Sequence, residues 1–324
     1  MKTLFETVTL GNLKLKNRFV RSGTLLIGDA DNGIISSRLH HTHQVLAEGD
    51  VGLIITGMIS VMEQGSANFS MVRADLPEFI FELSKTTDIV HRYGCKIIAQ
   101  LCHCGLKSHS IHQIPYGPNA IHDGRGILRE EMRLVRKSFA NAARKCKAAG
   151  VDGVQIHSAH GYLISEFLSP YFNYRKDEYG GSLQNRSRFL LEIYEEMRNC
   201  VGDDFPIWVK INSTDLTTPG LTLEESIWIC QELEHRKVDA VEISGGISVS
   251  PESQAALPVH SVFEEGYFSD NALQIANCVR IPVISVGGYR TRSVMERVLN
   301  AGNVEAISIC RPLIRNPSFL KTLL

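Results

Sequence analysis

Short continuous runs of apolar residues alternate with longer stretches of helical periodicity along most of this chain. Runs without polar interruption are typical of parallel strands that are buried on both faces. The strands that we predict are 18–22, 52–57, 96–101, 154–157, 206–212, 240–244, 282–286 and 306–310. The predicted helices are 36–50, 79–93, 130–149, 186–200, 222–236, 271–279, 291–301 and one that begins near Pro317.

Eight strands, each followed by a helix, favour an α/β fold of the (β/α)8 or TIM-barrel type over the alternative, an open doubly wound sheet. Residues 3–16 predict a β-hairpin around Gly11-Asn12 ahead of the barrel. A length of 324 residues suits a barrel with loop insertions, and 102–126 is expected to be a long loop. Since no break in composition is visible, we predict a single domain over 1–324.

Composition narrows the classes of partner. Apolar residues make up 44% of the chain, and the net charge of −1 gives no reason to expect binding to nucleic acid or to a membrane. The N-terminus lacks a signal-peptide core and no apolar stretch reaches about 20 residues, so we expect a cytoplasmic protein. The eight cysteines contain no CxxC pair, which favours free thiols over a metal or iron–sulfur site. The sequence does not decide between a monomer and a homo-oligomer.

Three neighbouring strands each direct a polar side chain into the predicted barrel. Side chains alternate along a strand, so Gln100 shares a face with Ile98, His157 with Gln155, and Lys210 with Trp208. Burying an amide, an imidazole and an ammonium costs several kcal/mol unless each finds a partner. A bound polar ligand would provide those partners.

The last two predicted strands are followed by residues suited to phosphate. Gly287-Gly288 and Cys310-Arg311 occupy the two loops that form the recurrent phosphate site of a TIM barrel. The Arg311 guanidinium adds donors that match phosphate oxygens. Together with the polar cluster, this predicts a phosphorylated planar cofactor.

The segment after the fourth strand carries the candidate chemistry. His157, His160 and Tyr162 form a set able to handle protons and to stabilise an oxyanion. The two imidazoles could alternatively be structural or bind zinc, although no convincing third or fourth ligand is evident. Tyr162 could alternatively be a packing residue, and Lys210 could merely pair with a strand-end acid such as Glu242.

Over nearly its whole length the sequence resembles the Old Yellow Enzyme (NADH:flavin oxidoreductase) family of FMN-dependent ene-reductases. The most specific matches are His157-x-x-His160-Gly161-Tyr162-Leu163, Phe167-Leu168-Ser169-Pro170, Asn173-x-Arg175-x-Asp177-x-Tyr179-Gly180-Gly181-Ser182 and Asn185-Arg186-x-Arg188-Phe189. Supporting matches are Leu15-Lys16-Asn17-Arg18, Gln100-Leu101-x-His103-x-Gly105 and Arg311-Pro312-Leu313-Ile314.

The resemblance implies FMN as cofactor and NADH or NADPH as reductant. It implies that Gln100 bonds the pyrimidine edge of FMN and that Lys210 lies by N1 and stabilises the anionic reduced flavin. The other residues implied in cofactor binding line the ring or hold the phosphate: Ser22, Gly23, Thr24, Gly57, Gly287, Gly288, Cys310 and Arg311.

The resemblance also implies a substrate, a small enone or enal. His157 and His160 would bond its carbonyl oxygen, the flavin would transfer hydride to the β-carbon, and Tyr162 would protonate the α-carbon in ping-pong turnover. The chain departs from the family at Leu25, where a side-chain donor to the flavin is common, and at Cys310, where glycine is common. Alternative functions are a flavin-binding protein without turnover and a flavin barrel acting on tRNA.

Overall fold

A computed structural model describes residues 1–109 and 114–324, and its central element is a closed barrel of eight parallel strands. The chain begins with the hairpin strands β1 (Val8–Leu10) and β2 (Leu13–Leu15). The barrel strands are β3 (Phe19–Arg21), β4 (Leu53–Ser60), β5 (Lys96–Cys102), β6 (Gly153–Ser158), β7 (Ile207–Asn212), β8 (Ala240–Ser244), β9 (Val283–Val286) and β10 (Val304–Ile309). Hydrogen bonds from β3 to both β10 and β4 close the cylinder, so the predicted (β/α)8 barrel is confirmed.

Helices surround the barrel. They are α1 (Ser37–Glu48), α2 (Phe79–His91), α3 (Arg129–Ala148), α4 (Leu163–Leu168), α5 (Leu183–Val201), α6 (Leu223–His235), α7 (Ser269–Cys278), α8 (Arg292–Asn300) and α9 (Arg311–Arg315). Within the described ranges, no helix combines the length and the apolar character needed to cross a membrane.

The hydrophobic pattern accounts for two separate cores. Val154 and Ile156 point outward and pack with the helices, as their parity on β6 predicts. Ile98 and Trp208 point inward and fill the barrel floor. The predicted hairpin is confirmed, and its four leucine and valine side chains plug that floor from below.

Glycine is required at the tip of the hairpin. Gly11 has φ +60°, and a Cβ there would lie 2.7 Å from the backbone oxygen of Asp239. The hairpin can therefore approach the barrel closely enough to seal it.

Some predicted boundaries were wrong. The helix expected at 186–200 begins at Leu183, because the Ser182 hydroxyl accepts from the Asn185 N–H and caps the helix earlier. The final helix predicted near Pro317 is a 3-10 helix at Phe319–Leu323, and the short helix α9, which starts directly after β10, was not predicted. Pro312 suits the first turn of α9, since that turn needs no N–H from it.

The predicted loop 102–126 has more structure than expected. It contains a 3-10 turn at 105–107 and paired two-residue strands at Tyr116–Gly117 and Arg125–Gly126. Residues 110–113 of that prediction lie outside the described residues. Two further additions were missed, the short helix α4 and the antiparallel pair Ala30–Asp31 and Ile34–Ile35.

Candidate active site

The three residues of the predicted catalytic set lie together at the C-terminal end of β6, with His157 in the strand and His160 and Tyr162 just after it. The ring centroid of His157 is 5.2 Å from that of His160 and 5.1 Å from that of Tyr162, both in edge-on orientation. His157 is buried inside the barrel mouth, whereas His160 and Tyr162 are partly exposed. The structure therefore brings both imidazoles and the phenol to one point.

Their surroundings favour the neutral forms. Burial, aided by the charge of Lys210, holds the pKa of His157 well below its usual value. Burial and the neighbouring His157 do the same to the pKa of His160. Burial raises the pKa of Tyr162, so its phenol stays protonated at neutral pH. The Nδ1 of His157 accepts from the Ala159 N–H at 3.4 Å, which leaves Nε2 as the donor of a neutral ring.

Hydrogen bonds from three directions hold the turn that carries His160. This residue has φ +64°, a left-handed conformation that is unusual for a side chain with a Cβ and typical of functional sites. Its N–H donates to Asn212 Oδ1 at 3.2 Å, and its carbonyl accepts from Lys107 Nζ at 2.7 Å. Its ring Nε2 is 2.7 Å from Ser244 Oγ. The imidazole is thus fixed in direction before any ligand binds.

A layer of buried polar side chains crosses the barrel directly above its apolar floor. Gln100 Nε2 donates to Gln155 Oε1 at 2.7 Å, and Gln155 Nε2 donates to Glu242 Oε2 at 3.0 Å. Lys210 Nζ donates to Ser22 Oγ at 2.7 Å and lies 3.5 Å from Glu242 Oε1. The inward parity predicted for Gln100 and Lys210 is confirmed, and the alternative that Lys210 pairs with Glu242 is part of the same arrangement.

A cleft of about 800 Å³ opens above this layer and extends toward the ends of β9 and β10. The predicted site residues that line it are Ser22, Gly23, Thr24, His160, Lys210, Gly288, Cys310 and Arg311.

The far end of the cleft is suited to an anion. An Arg311 guanidinium nitrogen donates to the Tyr267 hydroxyl at 3.2 Å, and Arg290 also lines the cleft. Gly288 has φ +74°, and a Cβ there would lie 2.6 Å from Val259. Cys310 Sγ is 2.8 Å from the Thr24 hydroxyl and ties this end to the segment after β3.

Several residues of the prediction lie outside the lining of the cleft: Gln100, His157, Tyr162, Gly57, Gly287 and Leu25. Gly57 backs the segment after β3, because a Cβ there would lie 2.8 Å from the Thr24 carbonyl oxygen. Gly287 uses its carbonyl to accept from the N–H groups of Gly266 and Tyr267. Leu25 packs against a sulfur-rich cluster of Met58, Met71, Cys102 and Cys104, so it offers no hydrogen bond to a cofactor.

The site fits FMN on two observations. The Gln100 Oε1 atom is buried without a hydrogen-bond partner, and such an acceptor suits the N3–H of a flavin pyrimidine ring. A Cβ at Gly23 would lie 2.6–2.7 Å from the Gln100 amide, so the absence of a side chain there keeps the amide in place. Gln100, Lys210 and Ser22 would hold the ring, and Arg311 with Gly288 the phosphate.

Other histidines serve packing. The sequence predicts that His40, His41 and His43 lie on a helix and are solvated, but His43 is buried, and burial lowers its pKa to about 3. Its Nδ1 donates to the Leu39 carbonyl at 2.9 Å. That prediction was wrong because His43 shares the buried face of α1 with Leu39. His103 is also buried and stacks on Tyr116. In residues 1–109 and 114–324, no three His, Cys, Asp or Glu side chains group to hold a metal.

Sequence reasoning named Glu242 only as an alternative partner of Lys210, and it missed several other residues of the site. Glu242 lies on the same face of β8 as Ala240, which points into the barrel. The alternation rule that placed Lys210 inside the barrel therefore places Glu242 there as well. Asn212 shares the parity of Lys210 on β7 and could have been found by the same rule, whereas Lys107 and Tyr267 lie outside the strands, where no alternation indicates a direction.

The barrel, the cleft and the unpartnered Gln100 acceptor together fit a flavin-binding barrel. The sequence profile of the NADH:flavin oxidoreductase / NADH oxidase family matches residues 3–324, and the chain belongs to that family. The predicted Old Yellow Enzyme relationship is thereby confirmed, and FMN is the cofactor of that family.

Relatives agree with this assignment. The chain is 34% identical to a metal reductase of Desulforamulus reducens over 98% of its own length and 48% of that protein. It is 34% identical to an NADPH dehydrogenase of Bacillus subtilis, over 99% of the chain and 94% of the relative. A solved complex of 2-naphthoyl-CoA reductase with 2-naphthoyl-CoA superimposes with a TM-score of 0.92 at 28% identity, covering 99% of this chain and 52% of that one. The chain thus spans about half the length of some relatives.

Proposed function

We propose that residues 1–324 act as one FMN-binding domain that reduces the C=C bond of α,β-unsaturated carbonyl compounds. The observation that carries the proposal is the grouping of two neutral imidazoles and one protonated phenol: the His157 ring centroid lies 5.2 Å from that of His160 and 5.1 Å from that of Tyr162. His160 itself lines the cleft. Neutral donors suit a carbonyl oxygen that gains negative charge during reaction.

FMN held by Gln100, Lys210 and Arg311 would supply the hydride chemistry that links NADH or NADPH to the β-carbon of the acceptor. The chain supplies the remaining functions. His157 and His160 bond the carbonyl oxygen and hold the acceptor over the cleft. Because hydrogen bonds to Asn212, Lys107 and Ser244 already fix His160, little reorganisation is needed when the acceptor binds.

Tyr162 delivers the proton to the α-carbon. Its phenol has a raised pKa, so the proton is present throughout the neutral pH range. The ammonium of Lys107 lies 5.1 Å from the centroid of the Tyr162 ring and helps to hold that ring by a cation–π contact.

A conjugated carbonyl acceptor is supported by one structural neighbour. 2-Naphthoyl-CoA reductase is solved with 2-naphthoyl-CoA, a thioester whose carbonyl is conjugated with an aromatic ring. Two donors that grip a carbonyl oxygen would serve such a thioester and a simple enone alike.

The proposal is tested by separating the two half-reactions under anaerobic conditions. Purified protein loaded with FMN should be yellow, lose its colour with NADPH or NADH, and regain it with 2-cyclohexenone. Tyr162→Phe should slow the return of colour by about 10²–10⁴-fold and leave the bleaching rate nearly unchanged.

Tyr93→Phe is the matched control, since that hydroxyl bonds Glu48 on the surface and should affect neither step. Protein that stays colourless after FMN is added would contradict the flavin site. Equal slowing of both half-reactions by Tyr162→Phe would contradict the proton-donor role.

A further inference from the structure

One carboxylate lies at the centre of the polar layer, between the two side chains that face the flavin in the proposed function. Glu242 on β8 is fully buried, with 0% of its surface exposed. Its register partner on the neighbouring strand β7 is Lys210. A carboxylate inside a barrel is costly unless its oxygens are all satisfied.

The hydrogen bonds of Glu242 are complete. Oε1 accepts from the hydroxyls of Ser22 and Ser308, each at 2.7 Å, and Oε2 accepts from Gln155 at 3.0 Å. Burial by itself raises the pKa of Glu242, but the charge of Lys210 and these hydrogen bonds together hold it below its usual value. The group is therefore an anion that can only accept hydrogen bonds.

An acceptor at this position fixes the direction of a chain of amides. Because Glu242 cannot donate, Gln155 must point its NH₂ group at the carboxylate and its oxygen at Gln100. Gln100 must then donate its own NH₂ to Gln155 and leave Oε1 free. The orphan acceptor that suits the flavin N3–H is thus set by a residue two side chains away.

A second chain of hydrogen bonds runs from the same carboxylate to the cation. Lys210 donates to Ser22, and the Ser22 hydroxyl donates to Glu242. The carboxylate therefore fixes where the ammonium lies. Its negative charge, 3.5 Å from the Lys210 nitrogen, also opposes part of the field that Lys210 projects into the cleft.

We propose that Glu242 is a positioning residue that sets the polarity of the flavin site through two series of hydrogen bonds. One series orients the Gln100 amide through Gln155, and the other fixes the Lys210 ammonium through Ser22, where the carboxylate weakens its field. The inference rests on the proposed function in that FMN places its pyrimidine edge at Gln100 and Lys210. With the carboxylate present, the reduced flavin is less stabilised by Lys210 and is a stronger reductant toward the acceptor.

The test is Glu242→Gln, which keeps the size of the side chain but removes the charge and allows the amide chain to reverse. We expect the affinity for FMN to fall by about fivefold or more, since Gln100 no longer offers a fixed acceptor. We expect the reduction potential of the bound flavin, measured by anaerobic dye titration, to rise, because Lys210 is then unopposed.

Asp239→Asn is the matched control. Asp239 is also buried and pairs with a cation, Arg198 at 2.6 Å, but it precedes β8 at the opposite end of the barrel. This change should lower stability and leave both the FMN affinity and the potential at their wild-type values.

Gln155→Leu distinguishes the two series of hydrogen bonds and keeps the proposal testable if Glu242→Gln does not fold. It cuts the amide chain and retains the charge pair, so FMN affinity should fall while the potential stays near that of the wild type. An unchanged FMN affinity in Gln155→Leu, or a potential in Glu242→Gln that is unchanged or lower, would overturn the inference. Wild-type protein that binds no FMN would instead refute the proposed function.

Discussion

A methyl group added at Gly23 should weaken FMN binding without disturbing the barrel. Gly23 follows β3 and lines the cleft, with its Cα facing the side chain of Gln100. In Gly23→Ala the new Cβ would lie 2.6 Å from Gln100 Nε2, and ordinary contacts begin at 3.4 Å. The Gln100 amide must therefore move by about 0.8 Å or more, the difference between these two distances.

The magnitude follows from what that movement breaks. Gln100 Nε2 is held at 2.7 Å from Gln155 Oε1, and a displacement of this size leaves a buried donor without a partner. An unsatisfied buried polar group costs about 1–3 kcal/mol. Without FMN the amide can relax into the cleft, so the cost falls on the complex and weakens FMN binding about 5- to 150-fold.

The assay is titration of FMN-free protein with FMN, followed by the quenching of flavin fluorescence. Gly126→Ala is the matched control, since a Cβ there has its nearest neighbour at 3.8 Å and φ is not left-handed. It should bind FMN as the wild type does. If Gly23→Ala retains wild-type affinity and an unchanged melting temperature, the reasoning that ties Gly23 to Gln100 is refuted.

Two further predictions concern stability, both measured by urea unfolding. Leu10→Ala removes a fully buried hairpin side chain from the barrel floor and should lower the free energy of unfolding by about 2–5 kcal/mol, whereas Thr9→Ala on the exposed face should change it by less than about 0.5 kcal/mol. Equal effects would contradict the role of the hairpin as a plug. Burial lowers the pKa of His43 to about 3. Below about pH 6.5 the unfolded chain therefore binds a proton at His43 that the folded chain does not bind, and the free energy of unfolding falls as the pH drops. His43→Leu should therefore reduce the stability lost between pH 7 and pH 5 by about 2 kcal/mol, and an undiminished loss would contradict this.

Periodicity along the chain predicted the elements better than their ends. Eight apolar runs and eight helical stretches suffice for a barrel, because parallel strands buried on both faces leave few alternatives. The start of α5 at Leu183 depended on a hydrogen bond from the Ser182 cap, and α4 is too short, at six residues, to show a period. His43 illustrates the same limit, since its burial depends on what packs against α1.

The sequence by itself determined the barrel, the inward direction of Gln100, His157 and Lys210, and the proximity of His157, His160 and Tyr162 along one segment. Strand parity and short loop spacing are local properties, so one chain suffices to read them. Only the tertiary structure decided that Glu242 joins Gln100 to Lys210, and that Gly23 packs on an amide 77 positions away in the chain. Such contacts depend on the register between strands and on the closure of the barrel, which no local pattern encodes.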